Sequence, residues 1–235
     1  VITGIVVALP EEISTLTSKK LTKGECFFKT ESIVIVLSGM GKDNARIAAE
    51  TLIENGAQRL LSWGCAGALT DALKPGDIVI ARRCMSTKSK HYVMDGGWIS
   101  HTDQVLIDKV KVINQGVLAG SEKICSTLEQ KKEVAEKTGA VAIDMESLAV
   151  AEVAEKKNVP FLAIRAIADP LDFDFPQAVI QSMSAAGEVN LSQLVSYLVF
   201  HPFELWGLLK LALHFRAATK TLRLVSLSLE SIVAF

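Results

Sequence analysis

Residues 141–147 read VAIDMES. Val141, Ala142 and Ile143 have the apolar character of a buried strand. Ser147 then opens LAVAEVAEKKN, where Leu148, Val150, Ala151 and Val153 are spaced for a helix. A strand running straight into a helix is the unit of an α/β protein, in which ligands sit outside the carboxyl ends of the strands. Two carboxylates, Asp144 and Glu146, stand at that end. One reading makes both of them helix N-terminal acids that favour the macrodipole. The other turns Glu146 toward a ligand and leaves Asp144 structural.

Working outward, strands are expected at 2–8, 32–37, 59–63, 77–81, 116–120, 140–143 and 160–167, from short runs rich in Val, Ile and Leu. Helices are expected at 128–138, 146–157, 176–184 and 191–200. Another follows SGMGK, with Ala45, Ile47, Ala48, Leu52 and Ile53 on its apolar face and Asn55-Gly56 as its stop. Strands this apolar are covered on both faces. The expected fold is therefore a three-layer α/β/α sandwich with a central mixed sheet. The polar segment 86–115 reads as an irregular loop bordering a site.

The tail differs. From Leu191 it reads LSQLVSYLVFHPFELWGLLKLALHFRAATKTLRLVSLSL, with Lys210, His214, Arg216, Lys220 and Arg223 set among Leu, Phe, Trp and Ala. A basic amphipathic helix carrying Trp and Phe is the pattern of a segment lying on a membrane surface. The alternative is a helix packed on the core or on a sister subunit. The expected division is 1–190 as a catalytic domain and 191–235 as a C-terminal amphipathic helical extension.

Bulk properties narrow the function. The chain has 235 residues, enough for a sizeable core, and a formal net charge of −1, which gives no field for a polyanion; nucleic acid is not an expected partner. Mean hydropathy is +0.32, to which the tail contributes. No run of about twenty uncharged apolar residues marks a spanning helix. The opening VITGIVVALPEE has neither the basic start nor the cleavage site of a signal peptide. Cys26, Cys65, Cys84 and Cys125 lie far apart, and the histidines form no pair. Reduced cytosolic thiols and no metal centre are expected, with no cofactor.

The expected strand ends carry the chemistry. SGMG at 38–41 and WGCAG at 63–67 are glycine-rich turns that let backbone amides approach a ligand. Neither is GxGxxG or a Walker A loop. Glu11 and Glu12 follow the first strand, Glu146 the sixth and Asp169 the seventh. If these ends converge, they make a metal-free acidic crevice. Such a crevice suits glycosidic bond cleavage, where an acid protonates the leaving group while cationic charge develops on the sugar.

The order GIVVALPEE, SGMGKDNA, GCAGAL with PGDIVIA, DMES and RAIAD resembles the purine nucleoside phosphorylase/uridine phosphorylase superfamily, over about residues 1–172. Within it the likeness is to the methylthioadenosine/S-adenosylhomocysteine nucleosidases. Nearer still are the hopanoid-associated phosphorylases, through SWGCAGAL, LAGSEKI, GAVAIDMES, AIRAIADP, GEVNL and HPFELWGLLKLALHFRAA. The resemblance implies a phosphorylase/hydrolase-like fold and removal of adenine from adenosylhopane in hopanoid side-chain synthesis. It implies that Glu146 holds the ribose hydroxyls and stabilises the cationic sugar, and that Asp169 protonates or hydrogen-bonds N7 of the purine. Glu12 takes the place of the acid that positions the attacking water. Met145, Ser38, Cys65, Ala66 and Gly67 form the implied substrate-binding set, and Arg165 is left outside it. The superfamily completes its pockets with a neighbouring subunit, which implies a homo-oligomer.

There are departures. The phosphorylases' arginine and Ser/Thr of the third-strand loop are Ser62 and Cys65 here, and ALPEE replaces their Gly–Asp–Pro phosphate loop. Inorganic phosphate as co-substrate would have to draw on Lys42, Arg46 or Arg82. Ala168 stands where the nucleosidases usually have Ser, a loss of one hydrogen bond worth about 0.5–1.5 kcal/mol. The expected substrate is a lipid-linked purine nucleoside. The expected place is the cytoplasm, with peripheral contact at the inner face of the membrane. The alternatives are a methylthioadenosine/S-adenosylhomocysteine nucleosidase and a non-catalytic nucleoside- or lipid-binding protein.

Overall fold

The computed structural model describes residues 1–88, 90–113, 116–182 and 189–235. The chain begins with β1 (Thr3–Val7), the short α1 (Pro10–Ile13), β2 (Cys26–Thr30), β3 (Ile33–Leu37) and α2 (Lys42–Glu54). Then come β4 (Arg59–Ala68), β5 (Ile78–Ile80), β6 (Arg83–Ser86), β7 (His91–Val93), α3 (Gly96–Leu106), β8 (Val112–Ile113) and β9 (Val117–Gly120). The strand–helix unit of VAIDMES is β10 (Ala140–Asp144) and α5 (Ser147–Lys157), preceded by α4 (Leu128–Thr138) and followed by β11 (Phe161–Asp169). Four helices end the chain: α6 (Gln177–Ser182), α7 (Leu191–Phe200), α8 (Glu204–Ser226) and α9 (Leu229–Val233).

The strands form one mixed sheet in the order β2-β3-β1-β4-β10-β9-β6-β7, with β11 branching from β4 and carrying β5 and then β8 beside it. β3 pairs parallel with β1, and β4 pairs parallel with both β1 and β11; β1, β3 and β11 are buried along their whole length. Helices cover both faces, as such strands require. β4 holds the site together. It runs beside β1 as far as Trp63, then bends away to meet β10 antiparallel through Gly67 and Ala68, while β11 follows it throughout. The ends of β1, β4, β10 and β11 therefore face one crevice.

Several expectations need correction. The segment 86–115 is not one irregular loop: it contains β7 and α3, whose Trp98, Ile99, Thr102 and Leu106 are buried. The Asp95 side chain caps α3 by accepting from the Trp98 N–H at 2.7 Å. Interspersed polar residues hide this apolar stripe in the sequence. Also unexpected were β2, an edge strand, and the short β6 and β8. The inward face of α2 runs through Ala45, Ala48, Ala49 and Leu52, leaving Ile47 exposed. Of the expected helix 176–184, residues 183 and 184 lie outside the described residues, as do Gly187 and Glu188 of GEVNL.

The helices after residue 190 behave differently from one another. α7 buries no residue. α8 carries Ala218, Leu222 and Val225 fully buried into the main core, beside Leu229 and Ile232 of α9. The end of the chain is fixed by the Trp98 indole N–H, which donates to the Ile232 carbonyl at 2.8 Å. Arg59 also lies against the rings of Trp98 and Phe235.

Candidate active site

A cavity of about 520 Å³ opens where those strand ends meet, within the size range of small-molecule sites. Glu12, Cys65, Ala66, Gly67, Met145, Glu146 and Asp169 all line it. Ser38 does not: its hydroxyl donates to the Val7 carbonyl at 3.1 Å and the Gly39 carbonyl at 2.8 Å, tying the end of β3 to β1.

Glu12 is buried in α1, which starts with Pro10 in the first helical turn, where a missing N–H costs nothing. Its Oε2 accepts from the Leu9 N–H at 3.1 Å and its Oε1 from the Cys65 N–H at 2.7 Å. Burial raises its pKa against the opposing pull of Arg165 and the backbone donors. Gly64 makes this arrangement possible, since a Cβ there would lie 2.7 Å from Glu12 Oε1 and 2.5 Å from Arg165 Nη1. The first glycine of WGCAG thus makes room for protein side chains, whereas the second, Gly67, lines the cavity.

The two acids of VAIDMES divide the work. Asp144 accepts from the Ser147 N–H at 3.2 Å, capping α5, and its Oδ2 pairs with Arg165 Nε at 2.7 Å. Glu146 makes no capping bond. Its Oε1 instead crosses to the Gly41 N–H at 2.9 Å, at the start of α2, where φ of +92° suits glycine. Burial raises the Glu146 pKa to about 7, with Arg165 pulling it down.

Asp169 ends β11. Its Oδ1 accepts from Lys131 Nζ at 2.9 Å, and its Oδ2 lies on the side of Gly67, where a Cβ would come within 3.1 Å. Burial lifts the Asp169 pKa to about 6 despite the ammonium beside it.

Sequence reasoning missed two residues that organise these acids. Arg165 is buried under the cavity floor, donating to Ser62 Oγ at 2.5 Å and Ser147 Oγ at 3.0 Å as well as pairing with Asp144. Strand alternation gave no reliable signal for it, because the register of β11 against β4 shifts between Ile167 and Asp169. Lys131 looks like part of a solvated helix in LEQKKEVAEKT. Yet it lies three residues after Leu128 and three before Val134, on the helix's inward stripe. Also missed was the far wall, built by Leu208, Leu211, Ala212 and Phe215 of α8 together with Phe175.

Among the described residues, no group of three or more His, Cys, Asp or Glu is placed to hold a metal ion. None of Lys42, Arg46 and Arg82 lines the cavity. Lys42 pairs with Glu122 at 2.6 Å and Arg46 with Asp43 at 2.8 Å.

The model of the phosphorylase superfamily matches residues 3–199. The chain belongs to the phosphorylase superfamily. One relative is the 5′-methylthioadenosine/S-adenosylhomocysteine nucleosidase of Staphylococcus aureus strain JH9. It is 26% identical over 227 residues, covering 83% of this chain and 99% of the relative. The fold also matches the native futalosine hydrolase of Helicobacter pylori strain 26695, with a TM-score of 0.70 at 18% identity over 99% of this chain and 97% of that one. A 5′-methylthioadenosine/S-adenosylhomocysteine nucleosidase from the same organism, complexed with a substituted pyrrolidin-3-ol, superposes with a TM-score of 0.71 at 19% identity and the same coverage.

Proposed function

We propose that this superfamily member cleaves the N-glycosidic bond of an adenosine-type nucleoside bearing an apolar 5′ substituent, with adenosylhopane as the substrate. The observation that carries the reading is the cavity itself. Four buried carboxylates, Glu12, Asp144, Glu146 and Asp169, share it with an apolar wall from α8, and Asp144 is taken up by Arg165. Asp169, held partly protonated near neutrality by burial, delivers a proton to N7 of adenine as the C1′–N9 bond lengthens. Glu146 holds the ribose hydroxyls and offsets the positive charge developing at C1′. Glu12 takes a proton from the attacking water, whose oxygen adds to C1′.

Water is favoured over phosphate by the distribution of charge. Lys123 is the single cation among the described residues lining the cavity, and Arg165 is committed to Asp144, Ser62 and Ser147. A second reading, hydrolysis of 5′-methylthioadenosine or S-adenosylhomocysteine, is supported by the named activity of the Staphylococcus aureus relative.

The outer face of α8 supports a lipid substrate. Leu205, Trp206, Leu209 and Leu213 are exposed there, followed on the same face by Arg216, Lys220 and Arg223. α7 adds exposed Leu191, Val195, Val199 and Phe200. Apolar side chains flanked by cations suit an anionic bilayer surface. No helix among the described residues is long and apolar enough to cross a membrane. One helix would then face the lipid outside and the nucleoside inside.

Adenine release from adenosylhopane in detergent, beside 5′-methylthioadenosine, each with and without phosphate, tests the reading. Phosphate-independent release from adenosylhopane supports it. Cleavage of methylthioadenosine alone transfers the function to the second reading. A strict phosphate requirement removes water as nucleophile, and no release from either, by folded protein, removes the enzyme.

A further inference from the structure

Lys131 is a buried lysine that the chemistry above does not use. It projects from α4 with none of its surface exposed. All three of its ammonium hydrogens are engaged: by Asp169 Oδ1 at 2.9 Å, the Pro170 carbonyl at 2.8 Å and the Phe173 carbonyl at 2.8 Å. A lysine is seldom buried so completely, and desolvating its charge costs several kcal/mol unless the geometry of its partners is good. Lys131 therefore has no donor left for a substrate, and it grips one oxygen of the carboxyl that faces the base.

We propose that Lys131 is a positioning residue for Asp169: by occupying Oδ1 it leaves Oδ2 as the oxygen that carries and delivers the proton. This rests on the reading of Asp169 as proton donor. Among the described residues no donor bonds Oδ2, and that oxygen lies beside Gly67, a cavity-lining residue. The same ammonium clamps the carbonyls of residues 170 and 173, so the turn after β11 and the carboxyl at its end are held as one unit. In the step served, the Oδ2–H bond breaks as N7–H forms, and the C1′–N9 electron pair passes to the purine. Asp169 is left as a carboxylate already paired with an ammonium. Besides Lys131, the ionisable groups acting on Asp169 and Lys131 are Asp174, Cys125 and His214.

The test is Lys131→Met, nearly isosteric, alone and combined with Asp169→Asn. Without the cation the carboxyl ionises less readily. The alkaline limb of kcat/KM, which reports loss of the Asp169 proton, should then move to higher pH, and kcat should fall on the order of 10- to 100-fold. In the Asp169→Asn background the same change should cost almost nothing further, because Lys131 acts through that carboxyl. A folded Lys131→Met enzyme with unchanged limb and turnover overturns the proposal, as does a full additional loss in the double variant. Full activity of Asp169→Asn alone instead removes the proton-donor reading and leaves Lys131 as packing. Should Lys131→Met fail to fold, the 15Nζ resonance of Lys131 in the unaltered protein decides. It should titrate with the alkaline limb and lose that step in Asp169→Asn; a resonance indifferent to pH across the limb overturns the proposal.

Discussion

Arg165 Nε lies 2.7 Å from Asp144 Oδ2, and both side chains are 2% exposed. Asp144 lines the cavity with Arg165 behind it, and the same guanidinium lowers the pKa values of Glu12 and Glu146 that burial would otherwise raise further. Removing one member of such a pair strands the other charge in a dry interior. Arg165→Met should therefore destabilise the fold by about 3–5 kcal/mol in urea unfolding. It should also push the acid limb of the pH profile upward, because Glu12 and Glu146 lose their stabilising cation. A variant as stable as the parent would show that the pair is dispensable.

Gly64→Ala is expected to damage the site more than an ordinary glycine substitution. Its Cβ would arrive 2.5 Å from Arg165 Nη1, on a guanidinium whose Nη2 is pinned by Ser62 and Ser147, and 2.7 Å from Glu12 Oε1. Neither neighbour is a flexible chain end free to swing away. Turnover should fall by at least 100-fold, the scale of a misplaced catalytic group, while binding of free adenine on the Asp169 side changes little. Steady-state kinetics with adenine inhibition would separate the two.

The acids also fix the pH dependence. In the proposed reaction Glu146 works as an anion, so activity should be gained as pH rises through its pKa of about 7. In the same proposal Asp169 works protonated, so activity should be lost as pH rises through about 6. With these values crossed, the kcat/KM profile is a narrow bell with its maximum between them. Asp169→Asn should keep a small residual rate without the alkaline limb. A flat profile between about pH 5 and 9 would be incompatible with both assignments.

Trp206→Glu combined with Leu213→Glu should separate membrane contact from chemistry. Both side chains are exposed, at 71% and 63%, and neither lines the cavity. Flotation with vesicles containing anionic lipid should fall to background, and release of adenine from a water-soluble nucleoside should persist. Equal flotation of parent and variant would leave the outer face of α8 without a lipid role.

VAIDMES shows where sequence reading succeeds and where it stops. Strand, turn and helix follow from apolar periodicity alone, because the period of side-chain burial is a local property of the chain. So do the acids at the strand ends, once the sheet is assumed parallel. The motifs that resemble the superfamily marked Glu12, Cys65, Met145, Glu146 and Asp169, all of which line the cavity. Local patterning did not assign Ser38 its bonds to Val7 and Gly39, since they follow from how β3 and β1 align.

The sequence by itself determined the α/β layering and the acids that meet at the crevice. It offered the division of labour between Asp144 and Glu146, but not the groups that enforce it. Those are Arg165, 21 residues after Asp144, and Gly41, 105 residues before Glu146. Only tertiary structure decided that Lys131 faces Asp169, and that one side of α8 walls the cavity while the other faces outward. The physical reason is common to these cases. Burying a charge is tolerable only against a compensating group, and that group comes from whichever element the fold places opposite.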